Sequence, residues 1–380
     1  MIADAIPQPE TVKSHSQFQI ELATEADDRE LRDLLRRSSV PGSIQVTFER
    51  EPSFFDSCRI RGEFFQVGVG RDRRTGRIVG LGTRSVAPAF VNARAMNVGY
   101  LADLRLEPEY RGGTLVVRGY RFLRKMHADG RTQLYTTVIF ASNHQALTTI
   151  ASGRAGLPRY HDMGLVHSPG INLRRRKPEL AAKCDIIRGS VELLPEIVAC
   201  LNRNHARRQF APVRRIETLR SGYPNFKPGD FYLAVRDSKV VGVLGKWDQR
   251  SFKQTRIVGY AARLRWLVPL ANALRAIPAC PAFPKAGQEV PYFYVSFIAV
   301  DDDELPIFRA LLRHVYNHSV GGDHLYAMLA LHERDPLLPA LREYSLTPFQ
   351  GRLFCVAFED GEAAFRNLDG RIPYVEAATL

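Results

Sequence analysis

One pattern is written twice along this chain, and it restricts the available folds more than any other feature. Residues 64–85 read FFQVGVGRDRRTGRIVGLGTRS, and residues 231–251 read FYLAVRDSKVVGVLGKWDQRS. Each is a β-rich run, a turn opened by Arg-Asp (Arg71-Asp72 and Arg236-Asp237) and a second β-rich run holding Val-Gly (Val79-Gly80 and Val241-Gly242). That is the signature of a β-hairpin. A helical stretch precedes each one: residues 26–37, with Leu31, Leu34 and Leu35 on one face, and residues 191–204, with Leu193, Leu194, Ile197 and Leu201 on one face. A strand and a helix follow each hairpin, at 98–106 and 115–127, then at 292–300 and 305–318. A further buried strand, beginning at Leu134 and again at Leu325, then runs into a helix. The shared order predicts two tandem copies of one α/β domain with a mixed (α+β) sheet.

A chain of 380 residues can supply two such cores. The expected divisions are a loose tail at 1–17, a first domain at 18–172, a basic linker at 173–183 and a second domain at 184–370. The linker carries Arg174-Arg175-Arg176-Lys177 ahead of Pro178. The second copy has an insertion near 261–289 that mixes Leu264, Trp266 and Leu267 with Arg263 and Arg265. Pro269, Pro278, Pro281 and Pro284 forbid one long helix there, so it reads as a packed irregular loop. A lid over a cleft, or a weak contact with an anionic membrane surface through 261–280, are its other readings. No apolar run is long enough to span a bilayer. The first sixteen residues lack the apolar core of a secretory signal, so a cytoplasmic protein is expected.

The formal charge of +13 comes from 53 basic and 40 acidic residues, and only nine of the 53 are Lys. Such a balance suits nucleic acid, an anionic membrane or an anionic ligand such as a nucleotide cofactor, besides plain compositional drift. Nucleic acid is disfavoured, because Tyr110 and Tyr120 among Arg111, Arg118 and Arg121 are explained as well by a helix flanking an anionic cofactor. The five cysteines contain no C-x-x-C pair, which excludes the common zinc frameworks and argues for reduced thiols. His314 and His318 sit four apart on a helix without a third ligand, so no metal is expected.

The most informative stretch is residues 98–116, VGYLADLRLEPEYRGGTLV. A strand ends at Glu107-Pro108, a loop of Arg111, Gly112 and Gly113 follows, and a helix then starts. Backbone N–H groups converge at such a helix mouth, the dipole favours negative charge, and glycines permit close approach. A pyrophosphate is the natural occupant.

This segment resembles the acetyl-coenzyme A motif of the GNAT acyltransferases, which reads Arg/Gln-x-x-Gly-x-Gly/Ala after a V-x-P-x-Y-R-G strand end. Leu106-Glu107-Pro108-Glu109-Tyr110-Arg111-Gly112 matches the approach; Thr114 and Val116 stand where the family has Gly and Gly or Ala. Asn143-His144-Gln145-Ala146 is similar to the family's N-x-x-A helix start. The resemblance covers roughly residues 20–172. It implies an N-acyltransferase that moves an acyl group from acetyl-CoA or another acyl-CoA to an amine by direct attack. The acceptor would be a small-molecule or peptide amine. The cofactor-binding set it implies is Leu104, Leu106, Arg111, Gly112, Gly113, Thr114, Leu115, Val116 and Asn143. Asp103 is the only acidic side chain within the strand before its end and is the candidate base or amine anchor. The family's thiolate-protonating Tyr falls at Ile150, so Tyr160 becomes the candidate acid, on condition that its loop folds back to the cleft. Copy two has Asp301-Asp302-Asp303-Glu304 at the phosphate position, which would repel a pyrophosphate, and is expected to be a degenerate copy. Thr114, Val116 and Ile150 support an alternative, a non-catalytic acyl-CoA-binding or regulatory protein. The oligomeric state stays open, because the two copies would satisfy each other as an internal pseudo-dimer.

Overall fold

The computed structural model describes residues 17–40, 42, 44–62, 64–111, 113–150, 157–261, 266, 268 and 284–380. In the first half the strands are β1 (Phe18–Leu22), β2 (Ile44–Glu49), β3 (Phe64–Asp72), β4 (Ile78–Val91), β5 (Arg94–Leu106), β6 (Leu134–Phe140), β7 (Arg159–His167) and β8 (Gly170–Asn172). In the second half they are β9 (Asp185–Arg188), β10 (Ala211–Pro212), β11 (Phe231–Arg236), β12 (Lys239–Trp247), β13 (Gln254–Tyr260), β14 (Tyr292–Val300), β15 (Tyr326–Met328), β16 (Leu331–His332), β17 (Leu346–Thr347) and β18 (Gln350–Ala357). The helices used below are α1 (Asp28–Arg37), α2 (Phe54–Arg59), α3 (Leu115–His127), α4 (His144–Ile150), α5 (Leu194–His205), α6 (Ile216–Ser221) and α7 (Leu305–Ser319).

Local chemistry accounts for the main elements. Leu31, Leu34 and Leu35 of α1 are buried against Val67, Val69, Ile78 and Leu81 of the β3–β4 hairpin. The side chain of Ser53 accepts from the Asp56 N–H and caps α2, while Asp28 of α1 accepts from the Phe54 N–H at 2.8 Å. In the second half, Leu194, Ile197, Cys200 and Leu201 of α5 pack on one face of β11, β12 and β14. Ile307, Phe308, Leu311, Leu312 and Val315 of α7 cover the other face. The basic run before Pro178 is held down by main-chain contacts: the Tyr316 hydroxyl donates to the Arg175 carbonyl at 3.0 Å, and Asn317 bonds Lys177 in both directions at 2.9 and 2.8 Å.

The mixed α/β (α+β) sheets expected from the sequence are present. One runs β1-β3-β4-β5-β6-β18-β7-β16, with β10 beside β4; the other runs β17-β8-β15-β14-β12-β11-β9. β2 and β13 pair with each other and tie the halves together. The two halves also exchange strands. β18, from the end of the chain, lies between β6 and β7, while β8 lies between β15 and β17. Segments 18–172 and 184–370 therefore do not each own a sheet. The physical reason is visible in β18: Leu353, Phe354, Cys355, Val356 and Ala357 are consecutive and all buried, a run that needs a covered central position.

The second-half strand beginning at Leu325 does not run into an α-helix, contrary to expectation. Residues 338–343 form a 3-10 helix only. Of the 261–289 insertion, Ala261, Trp266, Val268 and residues 284–289 are described; the loop, lid and membrane readings lie otherwise outside the described residues.

Candidate active site

The site begins where two strands part. β5 and β6 are parallel neighbours, but they pair only at Gly99↔Tyr135 and Tyr100↔Thr136. On its other side β5 carries a bulge against β4, where the register slips between Leu81 and Thr83, and Asp103 at the bulge takes φ +54°. An extra residue in one strand turns it away from its neighbour. Beyond Tyr100 the strands separate, and a cavity of about 440 Å³ fills the gap. Its walls come from β5, β6, α3 and β7 on one side and from β13, β14 and the chain end on the other.

Five of the nine expected binding residues reach this cavity, and Arg111, Gly113 and Thr114 do not line it. Leu104, Leu106, Leu115, Val116 and Asn143 all line it. Arg111 closes the 3-10 turn at Pro108–Tyr110, and its Nε lies 3.4 Å from the Leu106 carbonyl oxygen. Thr114 stands at the N-cap of α3 with ordinary helical angles (φ −79°, ψ −5°), so its β-branch meets no unfavourable backbone there. Gly113 precedes it; Gly112 lies outside the described residues. Asn143 caps α4, its Oδ1 accepting from the Ala146 N–H at 3.1 Å.

Tyr160 reaches the cavity without any loop folding back, because it stands on β7. Its hydroxyl is 2.5 Å from that of Tyr120 on α3. Burial and the neighbouring phenol hold Tyr160 well above its ordinary pKa, and burial pushes Tyr120 up to about 12. Both remain neutral phenols at neutral pH, able to donate a proton.

Asp103 is bound on several sides. Its Oδ2 lies 2.6 Å from Arg61 Nη1 and 3.1 Å from the Thr83 hydroxyl, and its Oδ1 lies 3.4 Å from Arg50 Nη2. Burial alone would raise its pKa, but Arg61 and Arg50 outweigh burial and hold it far below the carboxylate range. A group so fixed as an anion does not accept a proton at neutral pH. This geometry disfavours the base role expected for Asp103 and leaves the anchoring one.

Three residues of this cluster have no motif in the sequence. Arg50 and Arg61 follow β2 and α2, and Lys253 precedes β13. Lys253 is buried, and its Nζ donates to the main-chain oxygens of Ala378 at 3.2 Å and Leu380 at 2.9 Å. Burial first, then Arg50 and Arg61, drives its pKa well below the usual lysine value. Only their arrival at one bulge from separate elements makes them a site.

The second half has a corresponding bulge on β14, with Phe297 at φ +56°. There the chain itself fills the gap. The Phe297 N–H donates to Glu376 Oε2 at 2.9 Å, and the Ile298 N–H donates to the Tyr374 hydroxyl at 3.2 Å. The carboxylates ahead of α7 are matched by arginines: Asp301 with Arg203 at 2.7 Å, Asp303 with Arg208 at 2.6 Å and Glu304 with Arg236 at 2.7 Å.

No family model and no curated protein matches the sequence. The structure does match solved ones. A GCN5-related N-acetyltransferase from Sphaerobacter thermophilus aligns over 96% of this chain and 99% of its own, at 11% identity and TM-score 0.55. Saccharomyces cerevisiae N-myristoyltransferase with bound myristoyl-CoA aligns over 98% of this chain and 89% of its own, at 10% identity and TM-score 0.58. A GCN5-related N-acetyltransferase from Anabaena variabilis aligns over 89% and 72%, at 13% identity and TM-score 0.51.

The chain has the GNAT fold.

Within that GNAT fold, the cavity at the parting of β5 and β6 is lined by Leu104 and Leu106 of β5 and by Leu115 and Val116 of the first turn of α3. Among the described residues no cluster of three or more His, Cys, Asp or Glu could hold a metal ion, and no helix is long and apolar enough to cross a membrane.

Proposed function

We propose that this protein is an acyl-CoA-dependent N-acyltransferase whose first half binds the thioester and whose second half is a degenerate copy that shapes the acceptor side. The observation that carries the reading is the cavity at the parted strands, which Leu115 and Val116 of the first turn of α3 help to line. The diphosphate of acyl-CoA would lie against Arg111, Gly112, Gly113 and Thr114, with N–H groups of Leu115 and Val116 at the helix mouth. The pantetheine arm would run along the unpaired edge of β5 like an added strand, past Leu104, Leu106 and Asn143. A main-chain N–H of residues 104–106 would meet the oxyanion.

The acceptor amine attacks the thioester carbon, a C–N bond forms, and the C–S bond breaks. The departing thiolate takes a proton from Tyr160, whose partner Tyr120 keeps the hydroxyl oriented. Asp103 acts as a fixed negative charge that draws the acceptor ammonium toward the bulge. The amine's proton leaves through water.

The stable anionic state of Asp103 favours the second reading, a protein that binds acyl-CoA without turnover. Both readings predict that coenzyme A raises the melting temperature; no shift and no binding would remove both. Thiol release from acetyl-CoA and longer acyl-CoAs, with a panel of amines, then separates them. Under the first reading Tyr160→Phe should slow release by roughly a hundredfold while coenzyme A still binds.

A further inference from the structure

The walls of the cavity carry more positive charge than the protein answers. Among the described residues, Asp103 is the only carboxylate side chain that lines it, while Arg50, Arg61, Arg84, Arg105 and Lys253 line it too. Arg84 is matched from outside by Asp129 at 2.8 Å. Arg105, two residues on from Asp103, donates to the Leu104 carbonyl at 3.0 Å and is drawn to Asp103 as well. Asp103 is then the one carboxylate side chain of the cavity wall for Arg50, Arg61, Arg105 and Lys253. Glu49, next to Arg50, is taken by Arg256 at 3.2 Å and by the Thr47 hydroxyl at 3.1 Å. Arg61 makes the short contact to Asp103, whereas Arg50 touches it at the long limit of 3.4 Å. Lys253 donates to the main-chain oxygens of Ala378 and Leu380 and lies 5.9 Å from the centre of the Tyr294 ring. Counting a negative charge at Leu380 against Lys253 would still leave Arg50, Arg61 and Arg105 with one carboxylate side chain. Buried charge of one sign without a counter-charge is costly. Burial first, then Arg50 and Arg61, holds the Lys253 pKa low, so an added carboxylate beside it would restore the charged form.

Resting on the acyl-transfer reading of this cavity, we infer that the acceptor is an amine that also carries a carboxylate, as a free amino acid does. Its ammonium faces Asp103, and its carboxylate completes the charge of Arg50 and Lys253. A peptide N-terminus or a polyamine offers no carboxylate at that spacing and would leave the cations unmatched.

The test uses the full chain with coenzyme A bound and compares each standard L-amino acid with its own C-terminal amide. At least one acid should bind about tenfold or more tightly than its amide, the size expected for a hydrogen bond to a charged group. Lys253→Gln and Arg50→Gln should each bring that ratio toward one; the wild-type comparison stands even if either variant misfolds. Amides that bind as well as acids throughout, or no binding of either, overturn the inference. Thiol release in the same mixtures is scored separately. An acid that binds without release keeps the carboxylate site at Arg50 and Lys253 and removes the transferase reading, so the ligand is then no acceptor. Equal release from acid and amide does the reverse.

Discussion

At Asp103, two guanidiniums and a hydroxyl meet one carboxylate at the bulge of a strand. Removing the negative charge would leave Arg50 and Arg61 buried and unmatched. Asp103→Asn should therefore cost about 3–5 kcal/mol of folding stability at pH 7, read from urea unfolding. A change within 1 kcal/mol would show that the pairs are incidental. Because the folded pKa of Asp103 lies below the ordinary carboxylate value, its contribution is complete above that value and fades as pH falls through it. His205 works over a higher window. Burial, then Arg214, lowers its pKa from 6.5 to about 3, so the unfolded chain takes up the proton first. Its contribution is full above pH 6.5 and falls on acidification, by about 1.4 kcal/mol per pH unit. His205→Phe should flatten the loss of stability between pH 6.5 and 5, measured by urea midpoints across that range.

Among the elements, what could be read from the sequence was whatever neighbouring residues decide. The Leu31, Leu34 and Leu35 face fixed α1, the Arg-Asp turns fixed both hairpins, and the Gly-rich approach fixed the strand-to-helix join at α3. Asn143 could be placed for the same reason, since a cap is a local device. Two things escaped. Residues 338–343 wind as a 3-10 turn where an α-helix was predicted, and Arg50, Arg61 and Lys253 have no spacing rule because three separate elements deliver them. The parting of β5 and β6 depends on one further glycine. A Cβ at Gly99 would lie 2.0 Å from Tyr135 Cδ1. That ring is held by Arg84 at 3.0 Å and His127 at 2.8 Å, so it cannot step aside cheaply. Gly99→Ala should thus force the strands apart at one of their two paired positions and cost about 1–3 kcal/mol in urea unfolding. It should also weaken the thermal shift produced by coenzyme A.

For the molecule as a whole, the exchange of β18 and β8 binds the two halves into one folding unit. The sequence repeat predicts two copies but not which sheet each strand joins, because pairing over such distances leaves no mark on nearby residues. Residues 17–183 made alone would lack the strand between β6 and β7 and expose both edges. They should not unfold cooperatively by calorimetry. Produced together with residues 184–380, they should assemble into a complex with one sharp transition. A cooperative transition for residues 17–183 alone would show that the first sheet closes without its borrowed strand.

This borrowing also sets a timetable for synthesis. Roughly 180 residues separate β7 from β18. At ordinary translation speeds, the emerging first half waits some 10–40 s with an open gap before its central strand leaves the ribosome. During that interval its apolar flanks around Val138 and Val166 have nothing of their own to pair with. A nascent chain of this design therefore places an early demand on chaperones, and a ribosome stalled before residue 350 would release a sticky half-product rather than a smaller folded protein.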